Sequence, residues 1–203
     1  MPKLRRGQWA WLAFLAAALI LAQIGQPYAE VAPLHHIPTL MLLVAGPWLL
    51  RRWPISNAAL GCIVGFFLLH TLGGRYTYSN LPYEAWWNGL TGGGFAALTG
   101  WERNHYDRLV HLAFGVLSVK PVVEVAQLKR VRLRGGLWAA LAFVLAVSCL
   151  YEIFEWGLAM TIAGNMADDY NGQQGDMWDA QKDMALAFLG AIVASVYLLV
   201  KRR

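Results

Sequence analysis

Charge is what this sequence has least of. Only 14% of its 203 residues are Asp, Glu, Lys or Arg, where a soluble domain carries about 25%. With 58% of the residues hydrophobic, that shortage excludes an ordinary soluble enzyme. Cysteine is scarce too. Cys62 and Cys149 both lie inside apolar runs, which argues against a disulfide framework or a cysteine-based zinc site. No H-E-x-x-H pair, G-x-S-x-G elbow or Walker-type phosphate loop occurs, and no internal repeat or low-complexity tract stands out. No segment between the apolar runs is long enough for a soluble domain.

What is present is long apolar runs. A spanning helix needs about 20 mostly apolar residues. Six segments qualify or nearly do, at 9–24, 35–50, 55–72, 106–126, 137–163 and 179–200. The runs are continuous and do not alternate every second residue, so a closed barrel is disfavoured. Helices satisfy their own backbone groups in lipid. The expected fold is therefore all-α: one polytopic transmembrane bundle over 1–203, with outer segments at 73–105 and 164–178. The first run follows Lys3, Arg5 and Arg6, as a signal peptide would. The stretch Gln23-Ile-Gly-Gln-Pro27 offers no small-x-small cleavage site, so a retained first helix is expected. Segment 73–105, with Pro82, Gly92-Gly-Gly94 and Trp86, Trp87 and Trp101, reads as a surface or re-entrant element.

Basic residues set the orientation. With the N-terminus inside, Lys3, Arg5, Arg6, Arg51, Arg52, Lys120, Lys129, Arg130, Arg132, Arg134, Lys201, Arg202 and Arg203 are inner, 13 of the 17 Lys and Arg. Arg75, Arg103, Arg108 and Lys182 are outer. Both termini are expected to be cytoplasmic. The net charge of +5 is then a topology signal and gives no reason to expect nucleic acid. Of the acids only Glu124 falls near the inner face, and all five histidines lie at or near outer ends of spans. Polar chemistry is expected at the outer, periplasmic face, with membrane lipid as the surrounding partner.

Ionisable residues within a span are costly and point to a functional site. His70 lies about one turn below the outer end of the third span, followed by Gly73-Gly74, which permit a sharp turn. A snorkelling or core histidine is the plain alternative. Asp107 and His111 are four apart and share a helix face, so they can hold one metal ion or pair for acid/base work. Asp107 could also simply cap its helix. Glu152 and Glu155, three apart in the fifth span, require cations, buried basic partners or a shared proton. Ion pairing with Arg75, Arg103 or Arg108 would be the structural answer. Asp176, Asp179 and Asp183 fall on one helical stripe; Asp176 or Asp179 could be the N-cap, and the helix dipole favours acids in the first turn, which covers one or two of the three but not Asp183. Ser148, one turn before Glu152, is a weaker nucleophile candidate.

These blocks carry a resemblance. His70-x-x-Gly73-Gly74-x-Tyr76-Thr77-Tyr78, Asn104-x-Tyr106-Asp107-Arg108-x-x-His111, Glu152-x-x-Glu155-Trp156 and Gln174-Gly175-Asp176-x-x-Asp179-x-x-x-Asp183-Met184 together resemble the YjdF-like inner-membrane protein family, over roughly 35–200. The resemblance implies a bacterial multi-pass protein of the cytoplasmic membrane and supplies no reaction. More distantly, Asp107-x-x-x-His111, Glu152 and Asp183 followed by Gly190-Ala191 are similar to VanZ-like membrane proteins of the cell envelope. The arginine that often follows the glutamate there has no counterpart here.

Three functions fit these residues. The first is a metal-dependent enzyme acting on a lipid or lipid-linked envelope substrate. His70, Asp107, His111, Glu155, Asp179 and Asp183 would be ligands of a divalent Zn, Mn, Fe or Mg ion, a choice set by hard oxygen and imidazole donors. Glu152 would be the general base, and Arg75, Tyr76, Tyr78 and Arg108 substrate contacts. The second is a structural or partner-binding protein whose acids form a buried ion network. The third is a cation- or proton-coupled transporter, which would need polar residues continuing toward the inner side.

Overall fold

A backbone in lipid must pair its own polar groups, and this chain does so with helices. The computed structural model describes residues 3–161 and 173–201, and no strand occurs among them. The elements are α1 (Arg6–Gln23), α2 (Ala32–Arg52), α3 (Asn57–Arg75), two short helices α4 (Tyr83–Thr91) and α5 (Phe95–Thr99), then α6 (Tyr106–Leu128), α7 (Leu133–Thr161) and α8 (Asp179–Lys201). Five of them, α2, α3, α6, α7 and α8, are long and apolar enough to cross a membrane. The 18 residues of α1 include Arg6, Gln8 and Gln23, which dilute its apolar run; it packs beside α2 and α3 as a sixth helix of the bundle. Large apolar side chains such as Ile20, Val44, Leu150 and Val200 cover the outside, as helices facing lipid require.

Helix ends differ from the sequence expectation for local reasons. Helix α2 runs on through Arg51 and Arg52, since cations in a last turn offset the helix dipole. The third span begins at Asn57, because Ser56 is its cap and accepts from the Ala59 N–H. The fifth begins at Leu133, and residues 162–163 of its expected range lie outside the described residues, as does 164–172 of the second outer segment. The segment 73–105 is about half helical. Helix α3 continues to Arg75, and α4 and α5 are closed by Gly92 and Gly100 at φ 71° and 69°, where glycine alone is unstrained. Phe95 holds the pair together, with its ring edge-on to Tyr83, Trp87 and Trp101.

The paired glycines do not make the turn after α3. Both are helical, and the turn falls on Thr77 and Tyr78, at φ 49° and 56°. A Cβ on Gly73 would lie 2.7 Å from the Tyr78 ring, and one on Gly74 2.8 Å from His35 Cβ. The glycines make room for side chains to fold back against α3.

Two cores form. Leu12, Leu15, Leu50, Leu60 and Val64 unite α1, α2 and α3; Val119, Val123, Val144 and Ala187 unite α6, α7 and α8. Helix α3 packs on α6 and joins the halves, while among the described residues the backbones of α3 and α7 do not approach each other. A cleft floored by α6 is left between them. The tightest approach is α6 on α8. A Cβ on Gly115 would sit 1.9 Å from the Ala187 carbonyl oxygen, and one on Gly190 2.3 Å from that of Leu112. Small residues at such crossings replace the hydrophobic driving force that lipid removes. At the end opposite the acids, Glu124 of α6 accepts from Ser56 N and Ser56 Oγ, both at 2.7 Å, and pairs with Lys120 at 2.8 Å, which fastens α3 to α6.

Candidate functional site

The crossing of α6 and α8 fixes the site. Asp107 and His111 stand one turn apart on α6, and Asp183 lies one turn inside α8. All three are buried, and one ligand atom from each lies within 4.8 Å of the others. Two carboxylates and an imidazole at this spacing suit one divalent cation with oxygen and nitrogen preference. Glu152 enters from α7. Its Oε1 is 3.8 Å from His111 Nε2, which is also 3.6 Å from Asp107 Oδ1. Both distances exceed hydrogen-bond length, so the ring nitrogen stands between two carboxylates without bonding either. Asp183 Oδ1 and Glu152 Oε1 are buried with no hydrogen-bond partner among the described residues. Buried oxygens of this kind call for a proton or a cation. Glu155, one turn beyond Glu152, adjoins Tyr151 and Glu152 and adds a fourth carboxyl close enough to repel the others.

A separate ion network covers this group. Arg103 reaches Asp179 at 2.9 Å and Asp176 at 3.4 Å, and Arg108 reaches Asp176 at 2.5 Å and Asp179 at 3.1 Å. Lys182 adds a 2.6 Å bridge to Asp176. That hydrogen bond is the main reason the Asp176 carboxyl is held down to about 2, with the Trp178 N–H next. Neighbouring His105 has its imidazole pushed below the usual range by burial, then by the Arg108 and Arg103 cations.

Five residues expected at the site are placed elsewhere or otherwise engaged. Asp179 is turned into the arginine network and stands outside the Asp107–His111–Asp183 group, and Arg108 is engaged by the two aspartates, not free for substrate. Arg75 donates to the carbonyls of Ala22 at 2.7 Å, Ile24 at 2.8 Å and Gly25 at 3.1 Å, capping the orphaned end of α1. His70 Nε2 is 2.7 Å from the His35 carbonyl, which can only accept, so Nε2 carries the proton; Nδ1 accepts from the Tyr78 hydroxyl. Neither nitrogen is left for a metal. Tyr76 ends α3, with its ring edge-on to Trp86.

The cleft between α3 and α7 adjoins the group. It encloses about 420 Å³, within the roughly 300–1,000 Å³ of ligand pockets. Asp107, His111, His70, Tyr78, Ser148 and Tyr151 line one end, and the rest of the wall is almost wholly apolar. Ser148 is buried, and its Oγ has no partner among the described residues. The positioning role of Gly115 and Gly190 was missed from the sequence. The available signal was Ala187-x-x-Gly190-Ala191, a run of small residues one turn after Asp183.

The chain matches the family described as "Predicted membrane protein (DUF2238)" over residues 7–203. It is 33% identical over 175 residues to the inner membrane protein YjdF of Escherichia coli (strain K12), covering 83% of this chain and 75% of that protein. No solved structure matches. The helical bundle, the match over nearly the whole chain and the relative in the inner membrane lead to one assignment: the chain belongs to the DUF2238 family and is a multi-pass protein of the bacterial inner membrane.

Proposed function

We propose that this protein is a divalent-cation-dependent enzyme that hydrolyses an ester of a membrane lipid at the outer face. The observation that carries the reading is the pair of buried oxygens without a hydrogen bond among the described residues, Asp183 Oδ1 and Glu152 Oε1, beside Asp107 and His111. Asp107, His111 and Asp183 hold the cation, and Glu155 supports them. When bound, the ion polarises the ester oxygen and offsets the mutual repulsion of the acids. Glu152 accepts a proton from water as the water oxygen attacks the ester, and returns it to the leaving oxygen as the ester bond breaks. Glu152 suits this exchange by position, with its Oε1 buried beside His111 and free of any hydrogen bond among the described residues. The distribution of basic residues supports the outer placement and cytoplasmic termini.

The ion-network reading has its own support in Arg103, Arg108 and Lys182, which neutralise Asp176 and Asp179. That network leaves the deeper group without a hydrogen-bonded cation, so it explains the upper acids and not the lower ones. Transport is less favoured, since the acid at the opposite end, Glu124, is bound to Ser56 and Lys120.

The test is incubation of the reconstituted protein with bacterial polar lipid, with and without Mn²⁺ or Zn²⁺, and product analysis by mass spectrometry. Metal-dependent products from the parent, absent with Glu152→Gln although that variant still binds the ion, are expected. Equal products from the variant would remove Glu152 from the reaction. A metal-loaded parent that forms no product would leave the ion in a structural role.

A further inference from the structure

The site has an apolar extension that the reaction proposed above does not use. From His111 the cleft follows α6 inward past Phe114 to Pro121 and Val122, with Phe66 of α3 and Phe143 and Val147 of α7 as its sides. His111 to Val122 spans eleven residues, about 16 Å of helix. The hydrocarbon core of a bilayer is about 30 Å thick, so the slot is one leaflet deep. The backbones of its sides, α3 and α7, stay more than 8 Å apart at every Cα among the described residues, and Phe143 is exposed at the rim. The opening therefore faces the membrane interior between two spanning helices.

We infer that the slot between α3 and α7 holds one acyl chain of an outer-leaflet glycerophospholipid, entering sideways from the bilayer, with its head group at Asp107 and His111. Three observations select this occupant. The wall is aromatic and aliphatic, and what bathes it is lipid. The depth fits a chain that ends near the midplane, whereas a long polyisoprenoid would overrun it. The polar end of the slot is continuous with the acid group, so chain and head group are seated together. Tyr78, held by its hydroxyl on His70, closes the polar end beside Asp107. The inference rests on the proposed reaction only for what happens to the head group; occupancy of the slot is independent of it.

The test uses the full chain in nanodiscs of phosphatidylethanolamine and phosphatidylglycerol doped with a phospholipid carrying an acyl-chain diazirine. After photolysis, label is expected on slot residues of α3, α6 and α7 above the level on outward residues of α1. Val147→Trp, which fills the slot, should lower slot labelling roughly tenfold, the factor carried by about 1.4 kcal/mol. Leu150→Trp, on the lipid-facing side of the same helix, should leave it unchanged. Ser118→Phe, from the floor, is a second way to fill the slot should the tryptophan prevent folding. Labelling spread evenly over all lipid-facing residues, or unaffected by either filling variant, would overturn the inference. Cation binding is measured in the same samples. A filled slot that keeps the cation separates the two ideas: slot labelling without any cation binding would sink the reaction alone, and cation binding without slot labelling would sink the acyl-chain site alone.

Discussion

Replacing Gly115 with alanine tests whether the α6–α8 crossing sets the geometry of the acid group. The added Cβ would lie 1.9 Å from the Ala187 carbonyl oxygen and 2.8 Å from its carbon, both backbone atoms that no rotamer change can move. An ordinary contact of about 3.5 Å requires the two helices to part by about 1.5 Å. Asp107 and His111 ride on α6 and Asp183 on α8, so the 4.8 Å spread of their ligand atoms would widen toward 6 Å. Overpacking of this kind costs about 1–3 kcal/mol, and a misplaced ligand set loses about 10–100-fold in metal affinity. The assay is thermal unfolding in detergent by tryptophan fluorescence, with cation titration of the same preparation. Gly190→Ala, whose Cβ would meet the Leu112 carbonyl at 2.3 Å, should behave alike. Gly89→Ala in α4, with nothing within 4 Å, should change neither quantity. A Gly115→Ala protein with parental melting temperature and cation affinity would refute the reasoning.

Glu124→Ala removes two 2.7 Å hydrogen bonds to Ser56 and the Lys120 bridge, so it should cost about 2 kcal/mol in the same unfolding assay. Because Glu124 sits at the far end of the bundle, cation affinity should be unaltered; a lost cation would show the two ends to be coupled. Asp176 is held down to about 2, so its stabilising contribution is complete above the ordinary carboxylate value of about 3.9 and disappears as pH falls through about 2. The gap in melting temperature between the parent and Asp176→Asn should accordingly be flat from neutrality to about pH 5 and close below about pH 4. A gap independent of pH would mean that the Lys182 and arginine contacts do not act through the charge of Asp176.

Much of this was legible because lipid simplifies the code. Apolar runs give helices with few alternatives, and Asp107, His111, Glu152 and Asp183, costly inside a span, mark the site wherever they occur. Spacing could not say which polar groups already had partners. Asp179 and Asp183 are indistinguishable by helical stripe, and only the placement of Arg103, in a loop before α6, and of Arg108 in its first turn takes one and leaves the other. Equally, His70 reads as a ligand until the turn at Thr77 and Tyr78 brings a hydroxyl to its second nitrogen. That turn uses residues other than glycine at positive φ, so the role expected of Gly73 and Gly74 belongs to their neighbours. The cleft was illegible for a related reason: it exists because α3 and α7 fail to meet, and no local pattern encodes a gap.

Elemental analysis of the detergent-purified protein, beside Asp183→Asn at equal concentration, tests the central claim most directly. The account predicts near-stoichiometric divalent metal in the parent and its loss from a variant that still unfolds cooperatively, since Asp183 Oδ1 gives up no hydrogen bond among the described residues. Metal in neither protein after loading with Zn²⁺, Mn²⁺, Fe²⁺ and Mg²⁺, or equal metal in both, would contradict it.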